Sequence, residues 1–387
     1  MKSSLHAVAA RQLFDGDGMR KDVTVVIDGT RIAALIPRAE VPQAVHIREL
    51  PEGICLAPGF IDIQVNGGGD VLFNDAPTPE GARAIAAAHR KLGTTALLPT
   101  LISDTPAKMA AAITAIEAAA ADDPSVLGLH LEGPFLSPEK AGIHDPRLFR
   151  APTAEDLAII ATAREAVTLV TLAPEQVSSA FIDKLTAAGI HTALGHSMAT
   201  YAQARVAMDH GLEGFTHLFN AMRPLGAREP GPVAAALESP KAWYSLIVDG
   251  IHVAPAMLRL ALRGNGKPIL VSDAMPPVGG VGSTFALNGK AISLHEGRCA
   301  DADGTLAGAY LNLATAVRNC VNLLEVPLAD ALRFASAHPA QCLGLGSVLG
   351  KIAPGFRADM VALDAATLAV IETWVAGEAS HPSGTRS

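Results

Sequence analysis

LGLHLEGPF, residues 127–135, contains an apolar run, Leu127–Leu131, that stops at a carboxylate, Glu132. Three other stretches have the same form: TALGH (192–196) runs into His196, GFTH (214–217) into His217, and ILVSD (269–273) into Asp273. A buried strand that ends in a reactive polar group is how a parallel (β/α) barrel builds a site. The strand fixes the backbone, and the side chain projects at the open rim.

Working outward, strand-like runs fall at Phe60–Val65, Ala96–Pro99, Val126–Leu131, Thr168–Leu172, Thr192–Gly195, Gly214–Thr216, Ser245–Val248 and Ile269–Ser272. These make about eight strands, the number a closed barrel needs. Alanine-rich amphipathic stretches lie between them: Pro79–Leu92, Pro106–Ala121, Ser178–Ala188, Ala199–His210 and Ala254–Arg263. Strand-then-helix alternation predicts right-handed βα units. The expected class is therefore α/β, a (β/α)8 TIM-like barrel. A doubly wound sheet would need a phosphate loop after its first strand, and QVNGGGD (64–70) matches neither GxGxxG nor a P-loop.

The two ends of the chain read differently. VTVVIDGTRIAALI (23–36) holds two strands joined by a hairpin-type turn at Asp28-Gly29-Thr30, and GKIAPGFRADMVALDAATLAVIETWVAG (350–377) has the same β texture. Segments 1–56 and 350–387 are expected to meet in a small discontinuous β-sandwich domain around a barrel spanning 57–349. A turn-rich β insertion around 283–309 and a helical run from Asn312 to about Leu324 precede the return to the small domain. The tail EASHPSGTRS (378–387) is polar and expected to fray.

At 387 residues with 49% hydrophobic content, the chain can build a large core. A net charge of −8 argues against nucleic-acid or anionic-membrane partners, which call for a basic face. No apolar stretch approaches the roughly 20 residues of a membrane span, and the first residues lack a signal-peptide core. Cys55, Cys299, Cys320 and Cys342 form no CxxC pair, so they read as reduced thiols of a cytoplasmic protein.

Two neutral imidazoles and a carboxylate, with a position left open for water, form a recognised catalytic zinc or ferrous site. Glu132, His196 and His217 supply those ligand types at separate strand ends. Taken singly, each would serve equally as a cap, an ion-pair partner or a satisfied loop residue. Asp273 could carry a proton between water and a leaving nitrogen, or simply form the turn before Pro276-Pro277. His144 could polarise a scissile carbonyl or be solvated. Asn220, Arg223 and Arg228 could bind an oxyanion or belong to an ordinary polar loop. His252 follows the seventh strand, and Gly304–Ala309 could bring small residues close to a ligand. Where two-metal barrel hydrolases carry HxH at the end of the first strand, this chain has Gln64 and Asn66. These amides bind transition metals poorly, which predicts one tight metal site.

APGFIDIQVNGGGD (57–70), HLEGPFLSPEKAGIH (130–144), LGHSMA (194–199), THLFNAM (216–222), VDGIHV (248–253), VSDAM (271–275) and GTLAGA (304–309) together resemble the N-acetylglucosamine-6-phosphate deacetylase family of the amidohydrolase superfamily. The resemblance runs from about residue 5 to 377. It implies hydrolysis of the acetamide of N-acetyl-D-glucosamine 6-phosphate to D-glucosamine 6-phosphate and acetate. It also implies one divalent metal ion per subunit, zinc foremost, with Fe(II), Co or Mn as alternatives. Glu132, His196 and His217 match the metal ligands and Asp273 the acid/base. His144 matches the histidine beside the acetyl carbonyl, with Ile143 adjacent. Asn220, Ala221 and Arg228 match phosphate-side contacts, and Leu306, Ala307 and Gly308 a backbone strip near the sugar. Asp249 and His252 match a contact made across the interface of a homodimer. The galactosamine epimer of the substrate is the nearest rival, and a non-catalytic sugar-phosphate sensor is a rival of another class.

Overall fold

The computed structural model describes residues 5–163 and 165–380. Eight parallel strands follow one another around a barrel in chain order: β1 (Phe60–Val65), β2 (Thr94–Ile102), β3 (Gly128–Glu132), β4 (Val167–Leu172), β5 (His191–Leu194), β6 (Gly214–Phe215), β7 (Trp243–Leu246) and β8 (Lys267–Leu270). The ring closes just beyond β8. There Val65 bridges Ala274 in parallel, and the Asp273 amide donates to the Gln64 carbonyl at 3.0 Å.

Helices return the chain after each strand: α1 (Pro79–Arg90), α2 (Pro106–Asp122), α3 (Ala154–Ile160), α4 (Ser179–Ala187), α5 (Tyr201–Asp209), α6 (Gly231–Glu238), α7 (Pro255–Ala261) and α8 (Leu313–Leu324). Their starts are written in the sequence. Thr78, Thr105 and Ser178 cap α1, α2 and α4, while Thr153 and Thr200 form capping boxes with Asp156 and Gln203. Each such cap contributes about 1 kcal/mol. Sequence periodicity did not anticipate α3 and α6, which have only 7 and 8 residues. For α3, the Thr153-x-x-Asp156 pair was the available signal.

The terminal segments meet in one sheet of eight strands. Leu5–Phe14, Met19–Asp28, Arg31–Pro37, His46–Glu49 and Ile54–Pro58 join Met360–Asp364, Val370–Val375 and Glu378–Ser380. The seam is the antiparallel pairing of Ile54–Pro58 with Met360–Asp364. The sheet branches at its first strand, where residues 6–9 pair with 46–49 and residues 12–13 with 55–56. Period-2 alternation sends Val8, Val25, Ile27 and Trp374 to one core and Ala7 and Val26 to another, where the loop residues Val41 and Val45 join them. Glu378–Ser380 pairs with residues 373–375, so the first part of the tail expected to fray is an edge strand. The rest of that tail, 381–387, lies outside the described residues.

A three-stranded antiparallel insertion follows β8: Thr284–Leu287, Lys290–His295 and Arg298–Ala300. Its apolar side chains Leu287, Ile292 and Cys299 pack with Leu72, Ile102 and Met275. The insertion therefore walls one side of the barrel mouth. Among the described residues, no helix is long and apolar enough to cross a membrane.

Candidate active site

Glu132 is the last residue of β3. His196, His217 and Asp273 lie just past the ends of β5, β6 and β8, which stop earlier than their apolar runs suggest. The reason lies in the backbone. His196, His217 and Asp273 have φ of 48°, 34° and 49°, in the left-handed region. That conformation costs a non-glycine residue about 1–2 kcal/mol, so a surrounding structure must enforce it. Three such residues at one rim mark a constrained site. Gly133 follows Glu132 at φ 88°, and a Cβ there would fall 2.3 Å from the Ser103 hydroxyl.

The four side chains converge on one cavity of about 290 Å3. Glu132 Oε1 lies 3.0 Å from His196 Nε2 and 2.9 Å from His217 Nε2, and the two nitrogens are 3.1 Å apart. All three residues are buried, and their ligand-type atoms lie within 4.8 Å of one another. Ligands about 2.0–2.1 Å from a tetrahedral ion stand about 3.3 Å apart, close to the edges of this triangle. His196 Nδ1 bonds the Lys140 carbonyl at 2.7 Å, which leaves Nε2 as the free lone pair. These residues fit a divalent ion. Burial would raise the Glu132 pKa, but hydrogen bonds from His196 and His217 hold it well below the usual carboxylate range. Burial lowers the His217 pKa, but Glu132 outweighs it and the net shift is upward.

The His144 ring packs against that of His196, tilted by 50° with ring centres 4.5 Å apart. Its Nδ1 is 2.9 Å from Ser103 Oγ, and its Nε2 stands 4.0 Å from Glu132 Oε2. Burial, with His196 close by, depresses its pKa to about 3, so the ring is neutral. Asp273 Oδ1 accepts from Asn66 Nδ2 at 2.6 Å and Gln64 Nε2 at 3.2 Å. Burial and the Glu132 charge raise the Asp273 pKa to about 6. A carboxylate poised there can both take and return a proton near neutral pH.

Of the other expected site residues, Ile143, Asn220, Ala221, His252, Leu306 and Gly308 line the same cavity. Gly308 comes so close that a Cβ would sit 2.7 Å from the Asp273 carbonyl. Ala307 is buried behind the wall, its amide bonded to the Cys299 carbonyl. Asp249 lies beneath His252, holding its Nδ1 at 2.6 Å. His252 thus faces the cavity of its own chain. Arg228 stands exposed in the loop before α6, outside the cavity lining. Arg223 donates Nε to the Met198 and Ala199 carbonyls and is not among the cavity-lining residues. Thr305, within the expected strip Gly304–Ala309, lines the cavity too, whereas sequence reading did not find Asn74, Ile102, Met275 or Leu287, which also line it. Nothing in their local pattern marks them. Leu287 reaches the mouth only because the insertion folds over it.

The Amidohydrolase family pattern matches residues 55–380. The chain belongs to the amidohydrolase family. This amidohydrolase is 42% identical over 328 residues to an N-acetylgalactosamine-6-phosphate deacetylase of Shewanella sp. (strain ANA-3), covering 84% of this chain and 82% of that one. It is 35% identical over 345 residues to an N-acetylglucosamine-6-phosphate deacetylase of Haemophilus influenzae, covering 88% and 90%. Among solved structures, the amidohydrolase superposes on N-acetylglucosamine-6-phosphate deacetylase from Pasteurella multocida with a TM-score of 0.94 at 33% identity, covering 97% of this chain and 100% of that one.

Proposed function

We propose that this amidohydrolase hydrolyses the acetamide of N-acetyl-D-glucosamine 6-phosphate, releasing acetate and D-glucosamine 6-phosphate. The observation that carries this reading is the meeting of Glu132, His196, His217, His144 and Asp273 in one cavity, in a chain 35% identical to a deacetylase of that name. Glu132, His196 and His217 would hold one divalent ion, with zinc the best match to two imidazoles and a carboxylate. The Gln64 and Asn66 side chains point their N–H groups at Asp273, which favours one ion over two. When bound, such an ion supplies Lewis-acid activation of water and of the amide carbonyl.

The protein's own groups do the rest. Asp273 takes a proton from the attacking water and returns it to the departing amine. In the tautomer whose Nδ1 accepts from Ser103 Oγ, 2.9 Å away, His144 carries its proton on Nε2, which would hydrogen-bond the acetyl oxygen as charge develops there. Ile143 packs beside the acetyl group. Asn220, Ala221 and His252 grip the phosphorylated side, and the strip Leu306–Gly308 lies along the sugar. Remote phosphate binding positions the amide for attack.

Among the described residues, no lysine or arginine lines the cavity. A homodimer fits this reading, with exposed Arg228 supplying a cation to the phosphate of the neighbouring subunit while His252 serves its own. The free cysteines, three of them buried, accord with the reducing cytoplasm. The 42% identity to an N-acetylgalactosamine-6-phosphate deacetylase favours a second reading, hydrolysis of the galactosamine epimer.

Acetate release from both epimeric 6-phosphates, and from unphosphorylated N-acetylglucosamine, tests these readings. Turnover of N-acetyl-D-glucosamine 6-phosphate with the highest kcat/KM is the expected outcome. A higher value for the galactosamine epimer selects the second reading, and no acetate from any of the three rejects both.

A further inference from the structure

Asp273 is held at one oxygen by two side-chain amides at the end of β1. Gln64 lies on β1 and Asn66 is the residue just past its end, and both side chains reach Asp273. Both turn their N–H groups to Asp273 Oδ1, while Oδ2 has no hydrogen bond among the described residues. The amide oxygens, Gln64 Oε1 and Asn66 Oδ1, are buried without a partner. Unsatisfied buried oxygens are costly, so this orientation needs a compensating gain. Turning either amide would set its oxygen against a carboxylate. The Asp273 charge therefore fixes both.

The backbone beneath is equally fixed. The Asp273 amide donates to the Gln64 carbonyl at 3.0 Å, and the Gly67 amide to the Ala274 carbonyl at 2.9 Å. Asp62 Oδ1 accepts from the Gln64 and Ser272 amides at 3.3 and 3.2 Å, tying β1 to the segment after β8. The backbone that carries the two donors is thus held in register with Asp273.

We infer that Gln64 and Asn66 are positioning residues for Asp273: their converging N–H groups pin Oδ1, so that Oδ2 is the oxygen presented to the cavity and the one that carries the proton. The inference rests on the proposed role of Asp273 in amide hydrolysis. It gives the amide pair a task beyond leaving a second metal site unbuilt. The pair would orient the carboxylate by hydrogen bonds from neutral groups.

The test is a double-mutant cycle on the metal-loaded enzyme. Asn66→Ala is made in the wild type and in Asp273→Asn, with kcat, KM and bound metal measured for each. In the wild type, Asn66→Ala should lower kcat about 30-fold or more, as loss of positioning does. KM should stay within about threefold, and one ion per subunit should remain. In Asp273→Asn the same change should cost less than about twofold, because the carboxylate it serves is already gone. Asn66→Asp, of equal size but without the donor, should do no better than Asn66→Ala. An equal loss on both backgrounds, a loss of bound metal, or an unchanged kcat in Asn66→Ala would each overturn the inference.

A crystal structure of metal-loaded Asn66→Ala gives a readout independent of turnover. A rotated Asp273 carboxylate is expected, and an unmoved one would contradict the clamp. If the wild type releases no acetate, the proposed function fails, and the crystal structure still decides the clamp.

Discussion

At one end of the cavity, Glu132, His196 and His217 already converge with edges of 2.9–3.1 Å, and Asp273 is held by two amides. At the other end, Asn220, His252 and Thr305 offer an amide, an imidazole and a hydroxyl, with no cation among the described lining residues. The metal end stands on the rims of four strands, whose backbone is fixed by the barrel. The far end stands on the loops after β6 and β7 and on the segment that follows the insertion. Strand rims hold geometry more tightly than loops do. The chemistry should therefore be set by the first end, and substrate capture by the second.

The largest expected effect breaks the metal end. Asp273→Asn keeps the shape and one acceptor oxygen but cannot shuttle a proton. It should lower kcat by about 1,000-fold or more with metal and fold retained. A loss confined to KM would move Asp273 out of the chemistry and into binding. The far end is probed by Arg228→Ala together with a substrate lacking phosphate. Charge-assisted contacts are worth about 1.5–3 kcal/mol, so each change should cost about 10- to 100-fold in kcat/KM. If Arg228 crosses a dimer interface, the two losses should not add. Full additivity would place Arg228 away from the phosphate.

A smaller effect comes from pH. Asp273 must be ionised to accept a proton, and burial with the nearby Glu132 charge raises its pKa to about 6. A bound cation pulls it down again. The kcat/KM profile should therefore fall about tenfold per unit on the acid side, with its midpoint at or below about pH 6. A flat profile down to pH 4 would contradict the assignment of the base. The smallest effect lies outside the cavity. Thr200→Ala removes the capping box of α5 and should cost about 1 kcal/mol of stability in a denaturant titration, with activity unchanged.

The metal end was legible in the sequence because each of its residues terminates an apolar run. The barrel makes such an ending an address. What the pattern misjudged was where those strands stop, since nothing in TALGH or GFTH announces a left-handed turn at the histidine. The far end was less legible. Asn74, Met275, Leu287 and Thr305 meet only after the insertion folds across the mouth, and that contact is between segments far apart in the chain. Likewise Arg228 sits in a stretch that reads as a phosphate grip, yet its own cavity does not include it. The short helices α3 and α6 span only about two turns and show no clear 3.6-residue period, although α7, equally short, falls within the expected stretch Ala254–Arg263. Glu378–Ser380 looked like tail because pairing with residues 373–375 leaves no local signature.

Under the proposed function, catalysis depends most on one ion held by Glu132, His196 and His217 and acting on an acetamide. The most direct test is acetate release from N-acetyl-D-glucosamine 6-phosphate by wild type and His196→Ala, each assayed after chelation and after zinc is restored, with bound metal counted. The expected result is one ion per wild-type subunit, activity abolished by chelation and recovered with zinc, and neither ion nor activity in His196→Ala. Full activity in the chelated wild type, or stoichiometric metal in His196→Ala, would contradict it.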